Sequence, residues 1–205
     1  KQHEERDEPM EFAAYIGHHP AAILSSQVHS ADDEYDVISS LLGEPMELVD
    51  CKTVDLKVPA QAELVLEGKI QPNVREREGP FCGFTYLLAG GRESPVANVT
   101  AVTHREDPIY YDVYNPHADH IGHGVVTMEA DVYRTAKDAV SQVQDVHIPP
   151  ECSKFVTVVQ VRNEYEGLAK QAALAAVSAS HYMKTIIVVD EEQDPRDLAD
   201  VWWAI

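Results

Sequence analysis

The chain has 205 residues, 44% of them apolar, which suffices for a core in one large domain or two small ones. Thirty-five acidic residues against 16 basic ones give a formal net charge of −19, which argues against a nucleic-acid or anionic-membrane partner, since both would repel it. No apolar run approaches the length of a bilayer span, Lys1–Met10 is charged rather than signal-like, and Cys51, Cys82 and Cys152 are widely spaced thiols that suit a reducing, cytoplasmic setting better than a disulfide framework.

Lys1–Glu11 reads as a charged loop or the start of a strand, and Phe12–Ile16 as a short strand. The turn Gly17-His18-His19-Pro20 follows, then one or two helical turns over Ala21–Ser26. Ser30 is placed to cap a helix running to Leu42, with acidic residues in its first turn, where the helix dipole favours them, and Gly43 at its end. Glu47–Thr53 and Ala62–Ile70 read as strands, with Asp55–Pro59 as the link between them. The second alternates, with Ala62, Leu64 and Leu66 on one face and Glu63, Val65 and Glu67 on the other, and Gly68 and Pro72 mark its end. Beyond it, Arg75 and Arg77 flank Glu76 and Glu78. Glu78-Gly79-Pro80-Phe81 forms a tight acidic loop in which a carboxylate can be aimed. The β-branched content of Val96–His104 predicts a central strand. Strands with such short links predict an antiparallel sheet or barrel up to about Tyr110.

The pattern changes after Tyr114. Asn115–Gly124 reads as a polar loop, Met128–Val143 as an amphipathic helix, Val146–Ile148 and Phe155–Val161 as strands, Tyr165–Tyr182 as an Ala-rich helix and Thr185–Asp190 as a buried-type strand. A last helix is expected to open at Asp194-Pro195, with Asp194 as cap and Pro195 at its first position. This alternation predicts an α/β (α+β) fold in two domains, 1–110 and 111–205. The absence of an initial Met and the apolar close Val201-Trp202-Trp203-Ala204-Ile205 are the pattern expected of a segment of a longer protein.

Few residues point to chemistry by themselves. His117, His120 and His123 recur at three-residue spacing and, with Asp119, could converge on a metal, but Gly122 counts against a rigid helix there. A plain polar loop, or one that touches substrate, is the simpler reading. The acidic run Asp32–Asp36 reads as a solvated helix start that could attract a cation. Lys184 and Asp190 bracket a strand, at a sheet edge where a ligand could bind. There is no GxGxxG, no phosphate-binding loop and no GxSxG, so these patterns define no reaction.

Several stretches taken together resemble the UbiD family of decarboxylases. They are Ile16–Ala21 (IGHHPA), Gly43-Glu44-Pro45 with Glu47-Leu48-Val49, Val58-Pro59-Ala60 with Ala62-Glu63, Leu66-Glu67-Gly68, Glu78–Phe81 (EGPF), Thr103-His104-Arg105 with Asp107–Tyr110, and Val188-Val189-Asp190 with Trp203-Ala204-Ile205. The loop Pro116–His120 looks most like members acting on phenolic acids such as gallate or related hydroxybenzoates. The resemblance implies a split β-barrel of the flavin-reductase-like type followed by a small α/β domain. It implies prenylated flavin mononucleotide, supplied by a flavin prenyltransferase, with Mn2+ and K+, and reversible removal of carbon dioxide from an aromatic or unsaturated acid, in a homo-oligomer, dimer or hexamer. On the family's pattern Glu34 ligates the metal that bridges to the cofactor phosphate, Ser25 and Ser26 approach the potassium and phosphate, Glu78 belongs to a Glu-Arg-acid network beside the flavin ring, and Lys184 lies near the cofactor. The second acid of that network, expected five residues after Glu78, is here Gly83. The network's Arg and the metal's Asn and His ligands come from sequence upstream of this chain. Two competing readings follow: a non-catalytic or partner-dependent subunit of a carboxylase complex, and a plain split-barrel protein using unmodified FMN.

Overall fold

The computed structural model describes residues 2–28 and 32–205. It divides into two units, Lys1–Gly83 with Leu87–Val113, and Phe84–Tyr86 with Tyr114–Ile205. It is mixed α/β.

The first unit is built on an antiparallel sheet of Met10–Ile16 (β1), Leu64–Glu78 (β4) and Arg92–His104 (β5), in the order β1-β4-β5. Tyr15 lies opposite Val65 and Glu78 opposite Arg92. The central strand is β4, so the expectation that Val96–His104 is central is corrected: among the described residues β5 pairs only with β4. Its β-branched side chains suit any pleated surface, at an edge as well as in the middle. Nor does β4 end at Pro72. The register slips between Ile70 and Arg75, an irregularity that absorbs a proline with no amide to give the ladder. Arg75–Glu78 thus lies on a hairpin arm rather than in a loop. A second slip, at Glu67/Gly68, brings backbones close: a Cβ on Gly68 would sit 2.2 Å from the Asn98 carbonyl and 2.7 Å from the Phe12 ring.

Leu48–Asp50 (β2) and Lys57–Pro59 (β3) form a separate antiparallel pair, so the predicted link Asp55–Pro59 contains a strand. Gln2–Glu5 (α1) is a short helix where the charge pattern predicts a loop or strand. Pro20–Ser25 (α2) opens on a proline, and Ala21 N–H donates to His19 Nδ1 at 3.2 Å. Glu34–Leu42 (α3) is capped by Asp33, whose carboxylate accepts from Tyr35 N–H at 2.9 Å. Ser30, the expected cap, lies outside the described residues.

The acid buried in this unit is Glu67, 1% exposed. Its carboxylate accepts from Lys52 N–H, Thr53 N–H and the Thr53 hydroxyl at 2.6 to 2.9 Å. Burial alone would raise its pKa, and these donors outweigh that and lower it. The result is a polar staple from β4 to the loop after β2.

In the second unit Val143–His147 (β6), Val156–Val161 (β7) and Thr185–Asp190 (β8) form a sheet, antiparallel at β6/β7 and parallel at β7/β8. Ala118–Ala139 (α4) and Leu168–Ser178 (α5) pack on one face. Ile121, Val125, Met128, Val132 and Ala136 recur at helical spacing and meet Val159, Val161, Leu168 and Ala172 in one apolar cluster. On the other face, Val201 of Leu198–Ala204 (α6) packs with Val158 and Val189. Strand β7 therefore buries valines on both sides, Val159 and Val161 on one and Val158 on the other.

Several boundaries in this unit differ from the sequence expectation, among them those of β6, expected at Val146–Ile148, and of α5, expected to span Tyr165–Tyr182. Helix α4 begins at Ala118 and runs through Gly122, where the composition predicts a loop. Burying Ile121 and Val125 outweighs a glycine penalty of about 1 kcal/mol per residue. It also ends at Ala139, because Val143 belongs to β6. The last helix opens not at Asp194 but at Asp197, whose carboxylate accepts from Ala199 N–H and Asp200 N–H. Asp194 accepts from Arg196 N–H in the preceding turn, and Pro195 is buried there. Among the described residues no helix is long and apolar enough to cross a membrane.

Candidate functional site

Two short helices assemble the first candidate site. The C-terminal end of α2 carries Ser25 and Ser26, and the first turn of α3 carries Glu34. Together with Tyr15, Ala22, Asp33, Tyr35 and Ile38 they line a pocket of about 300 Å³. Apolar packing of Ala21 and Ala22 against Ile38 holds the helices together, so the polar groups at their ends share one cavity. Ser25 is buried and its hydroxyl donates to Ala22 O at 2.9 Å. Ser26 donates to Ile23 O at 2.8 Å. Ser25 Oγ thus keeps both lone pairs for a cation, while Ser26 Oγ, which accepts from Gln27 Nε2 at 3.4 Å, keeps one. Glu34 is exposed to the pocket and bears an anionic carboxylate at a helix N-terminus. The Tyr35 phenol donates to Lys57 O at 3.3 Å, and burial, with Asp33 and Glu34 nearby, pushes its pKa up.

The donor set is hard oxygen, which suits Mn2+, Mg2+ or K+ rather than a soft metal. It is not a full shell: among the described residues no group of three or more His, Cys, Asp and Glu side chains is placed to hold a metal ion. In kind, these residues fit a share in a cation site completed by other ligands.

Glu78 lies in a different cavity of the same unit, of about 200 Å³, lined by Glu78, Gly79, Phe81, Ala89, Gly90 and Arg92. The two cavities share no lining residue. Glu78 ends β4, and Gly79 turns the chain with a left-handed φ of 80°, which glycine adopts without strain. Across the ladder, the Ser94 hydroxyl donates to Glu78 Oε2, and Arg92 Nε donates to the same oxygen at 3.2 Å. The serine bond first, and then the guanidinium, hold the Glu78 carboxyl below its ordinary pKa. The expected network residue therefore has a cationic partner within this chain. The periodicity of the sequence did not reveal Arg92 and Ser94 because the pairing depends on the register of a hairpin whose arms are interrupted by Pro72.

Lys184 belongs to the second unit. Its backbone N–H donates to Phe155 O at 2.8 Å, and its ammonium lies 4.0 Å from the centre of the Phe155 ring. Nearby in that unit, the Phe84 ring packs edge-on against Tyr182 at 5.2 Å, with Lys154 Nζ 5.6 Å and 5.8 Å from the two ring centres. Burial pushes the Lys154 pKa down.

Among the described residues, the histidine tract joins no group of three or more His, Cys, Asp and Glu side chains placed to hold a metal ion. His117 precedes α4, 3.8 Å from Asp119, and His120 Nδ1 is 2.5 Å from Asn115 Oδ1. Two pocket residues escaped the sequence reading, Tyr15 and Tyr35. Tyr35 follows Glu34 directly, a signal that was available. Tyr15 is brought in by β1, which no local pattern shows.

Known proteins place this geometry in context. Residues 1–118 match the 3-octaprenyl-4-hydroxybenzoate carboxy-lyase Rift-related domain, and residues 123–205 match the C-terminal domain of the same family. Among solved structures, an evolved dimeric form of the UbiD-class enzyme HmfF from Pelotomaculum thermopropionicum, in complex with prFMN, is 40% identical with a TM-score of 0.96, over 98% of this chain and 48% of that one. Vanillic acid decarboxylase of Sedimentibacter hydroxybenzoicus in its open form is 31% identical, with a TM-score of 0.89, over 98% of this chain and 45% of that one. Apo 3,4-dihydroxybenzoic acid decarboxylase (AroY) of Klebsiella pneumoniae is 28% identical, with a TM-score of 0.93, over 98% and 45%. The chain thus spans slightly less than half the length of each of these structures. Matched along nearly its whole length, with motifs and fold in agreement, the chain belongs to the UbiD family.

Proposed function

We propose that this chain is part of an enzyme that reversibly removes carbon dioxide from an aromatic or unsaturated carboxylic acid, of hydroxybenzoate type, using prenylated FMN. The observation that carries the reading is the meeting of Ser25, Ser26 and Glu34 in one pocket, the residues that the family pattern assigns to cofactor phosphate and metal. When bound, the modified flavin supplies the electrophile and the electron sink for decarboxylation. Glu34 would contribute a carboxylate to Mn2+, and Ser25 and Ser26 oxygens to K+ and the phosphate region. Lys184 would present a cation to the cofactor. The first unit would form part of a split barrel, a reading supported by its antiparallel order. A flavin prenyltransferase would supply the cofactor, and the working form would be a homo-oligomer.

Glu78 would be the catalytic carboxylate. Held ionised by Ser94 and Arg92, it is suited to accept or orient a proton rather than to donate one at neutral pH. With Gly83 in the place of the second acid, that position would supply no carboxylic acid to donate the proton. A second reading, a partner-dependent or non-catalytic subunit, is favoured by that same Gly83.

The test uses the full-length protein co-expressed with a flavin prenyltransferase. The bound small molecule is identified by absorption spectrum and mass, metal is quantified, and carbon dioxide release is screened over hydroxybenzoates. Prenylated FMN with stoichiometric manganese, and turnover abolished by Glu78→Gln, is the expected result. Turnover only after a companion chain is added supports the subunit, and absence of flavin and metal rules out the enzyme.

A further inference from the structure

We propose that Tyr15 is a further binding residue of the pocket that holds Ser25, Ser26 and Glu34, its phenol hydroxyl donating a hydrogen bond to a phosphate group that enters there. The inference rests on the reading of that pocket as a cofactor-phosphate site.

The backbone of Tyr15 is fixed by β1, in register with Val65 of β4. Its ring is held from two sides, packing against the cluster of Ala21, Ala22 and Ile38 and also against that of Val58, Ala62 and Val65. His18 meets it edge-on, with ring centres 6.2 Å apart and planes at 75°. A phenylalanine would satisfy every one of these contacts. What tyrosine adds is a hydroxyl, and among the described residues no group hydrogen-bonds it. A phenol on a ring this restricted ordinarily finds a partner, and Tyr15 forms part of the pocket wall.

An ordinary phenol titrates at about 10, so the group is a neutral donor at physiological pH, beside carboxylates that do not themselves use it. Neutral phenol is a poor ligand for a hard cation in competition with carboxylate and water, but a good donor to a phosphate oxygen. Asp33 and Glu34 would repel a bare phosphate, so the anion enters together with a cation at Glu34. The contribution of Tyr15 then shows only on a phosphate-bearing ligand in the presence of that cation. Tyr35 differs because its hydroxyl proton is already committed to Lys57 O.

The experiment is calorimetric titration of the full-length protein with Mn2+ alone, then with FMN in Mn2+, and with riboflavin in Mn2+ as the phosphate-free control. Tyr15→Phe is expected to leave Mn2+ and riboflavin affinity unchanged and to weaken FMN by about tenfold or more, the loss of one hydrogen bond to a charged group. Tyr35→Phe is expected to weaken FMN far less. An FMN affinity for Tyr15→Phe equal to wild type overturns the proposal. Equal weakening of riboflavin also overturns it, because the ring would then be a packing element only, and loss of Mn2+ binding would assign the phenol to the cation instead. If wild-type protein takes up neither Mn2+ nor FMN, the pocket reading falls and this inference falls with it, an outcome distinct from a silent Tyr15→Phe in a protein that binds both.

Discussion

The side chain with most at stake is Glu67. Its carboxylate has three protein donors and almost no water. Glu67→Gln keeps the volume but turns an amide N–H₂ toward amide N–H groups. We expect it to cost about 2–4 kcal/mol of stability at neutral pH by chemical denaturation, the range for leaving a buried charged-group hydrogen bond unmade. The pH dependence follows from the lowered pKa. The stabilisation is complete above the unfolded carboxyl value of about 4.3 and is lost as pH falls through the lower folded value. The stability gap between wild type and Glu67→Gln should therefore narrow below about pH 4. One residue on, Gly68→Ala has no room, since the new carbon meets a backbone carbonyl rather than a flexible side chain. It should destabilise by more than 1 kcal/mol, read as a fall in Tm. Glu78 offers a functional counterpart. Ser94→Ala and Arg92→Gln should each raise the Glu78 pKa, visible in carbon-13 carboxyl titration, and shift the acid limb of any turnover profile to higher pH.

At the scale of elements, α4 shows what the sequence conveys and what it hides. The stripe from Met128 to Ala136 is plain in the sequence, and the structure places it in the core. The first turns are hidden because Gly122 lowers local helix propensity, while the burial of Ile121 that overrides it is a tertiary fact. A Cβ on Gly122 meets nothing within 4 Å, so Gly122→Ala should stabilise the protein by about 0.5–1 kcal/mol, measured by thermal or urea unfolding. Strand β4 repeats the lesson. Its alternation to Ile70 was legible; its passage beyond Pro72 depends on a slip against β5 that only pairing supplies. The candidate site divides the same way. Glu34, Ser25, Ser26 and Glu78 were named through family motifs, whereas Tyr15, Arg92 and Ser94 are contributed by strand partners and have no local signature.

For the whole molecule, the apolar clusters are unequal. The α4, α5 and sheet cluster of the second unit joins a long set of buried side chains, while those of the first unit are small. Hydrogen exchange should therefore be slowest at the amides of Val158, Val159 and Val161 on β7 and faster throughout β1 and β5; equal protection in both units would contradict this ordering. The second unit is also not one continuous run of sequence, since Phe84–Tyr86 belong to it while Gly83 and Leu87 do not. Gene dissection feels this directly. A fragment cut to begin at Tyr114 discards the Phe84 ring from beside Phe155 and Tyr182, and strips the buried Ser153 hydroxyl of the Phe84 carbonyl it donates to at 2.9 Å. Such a truncation would expose aromatic surface and an orphaned hydroxyl at once, so the smallest inheritable piece of this fold is larger than any boundary drawn along the sequence suggests.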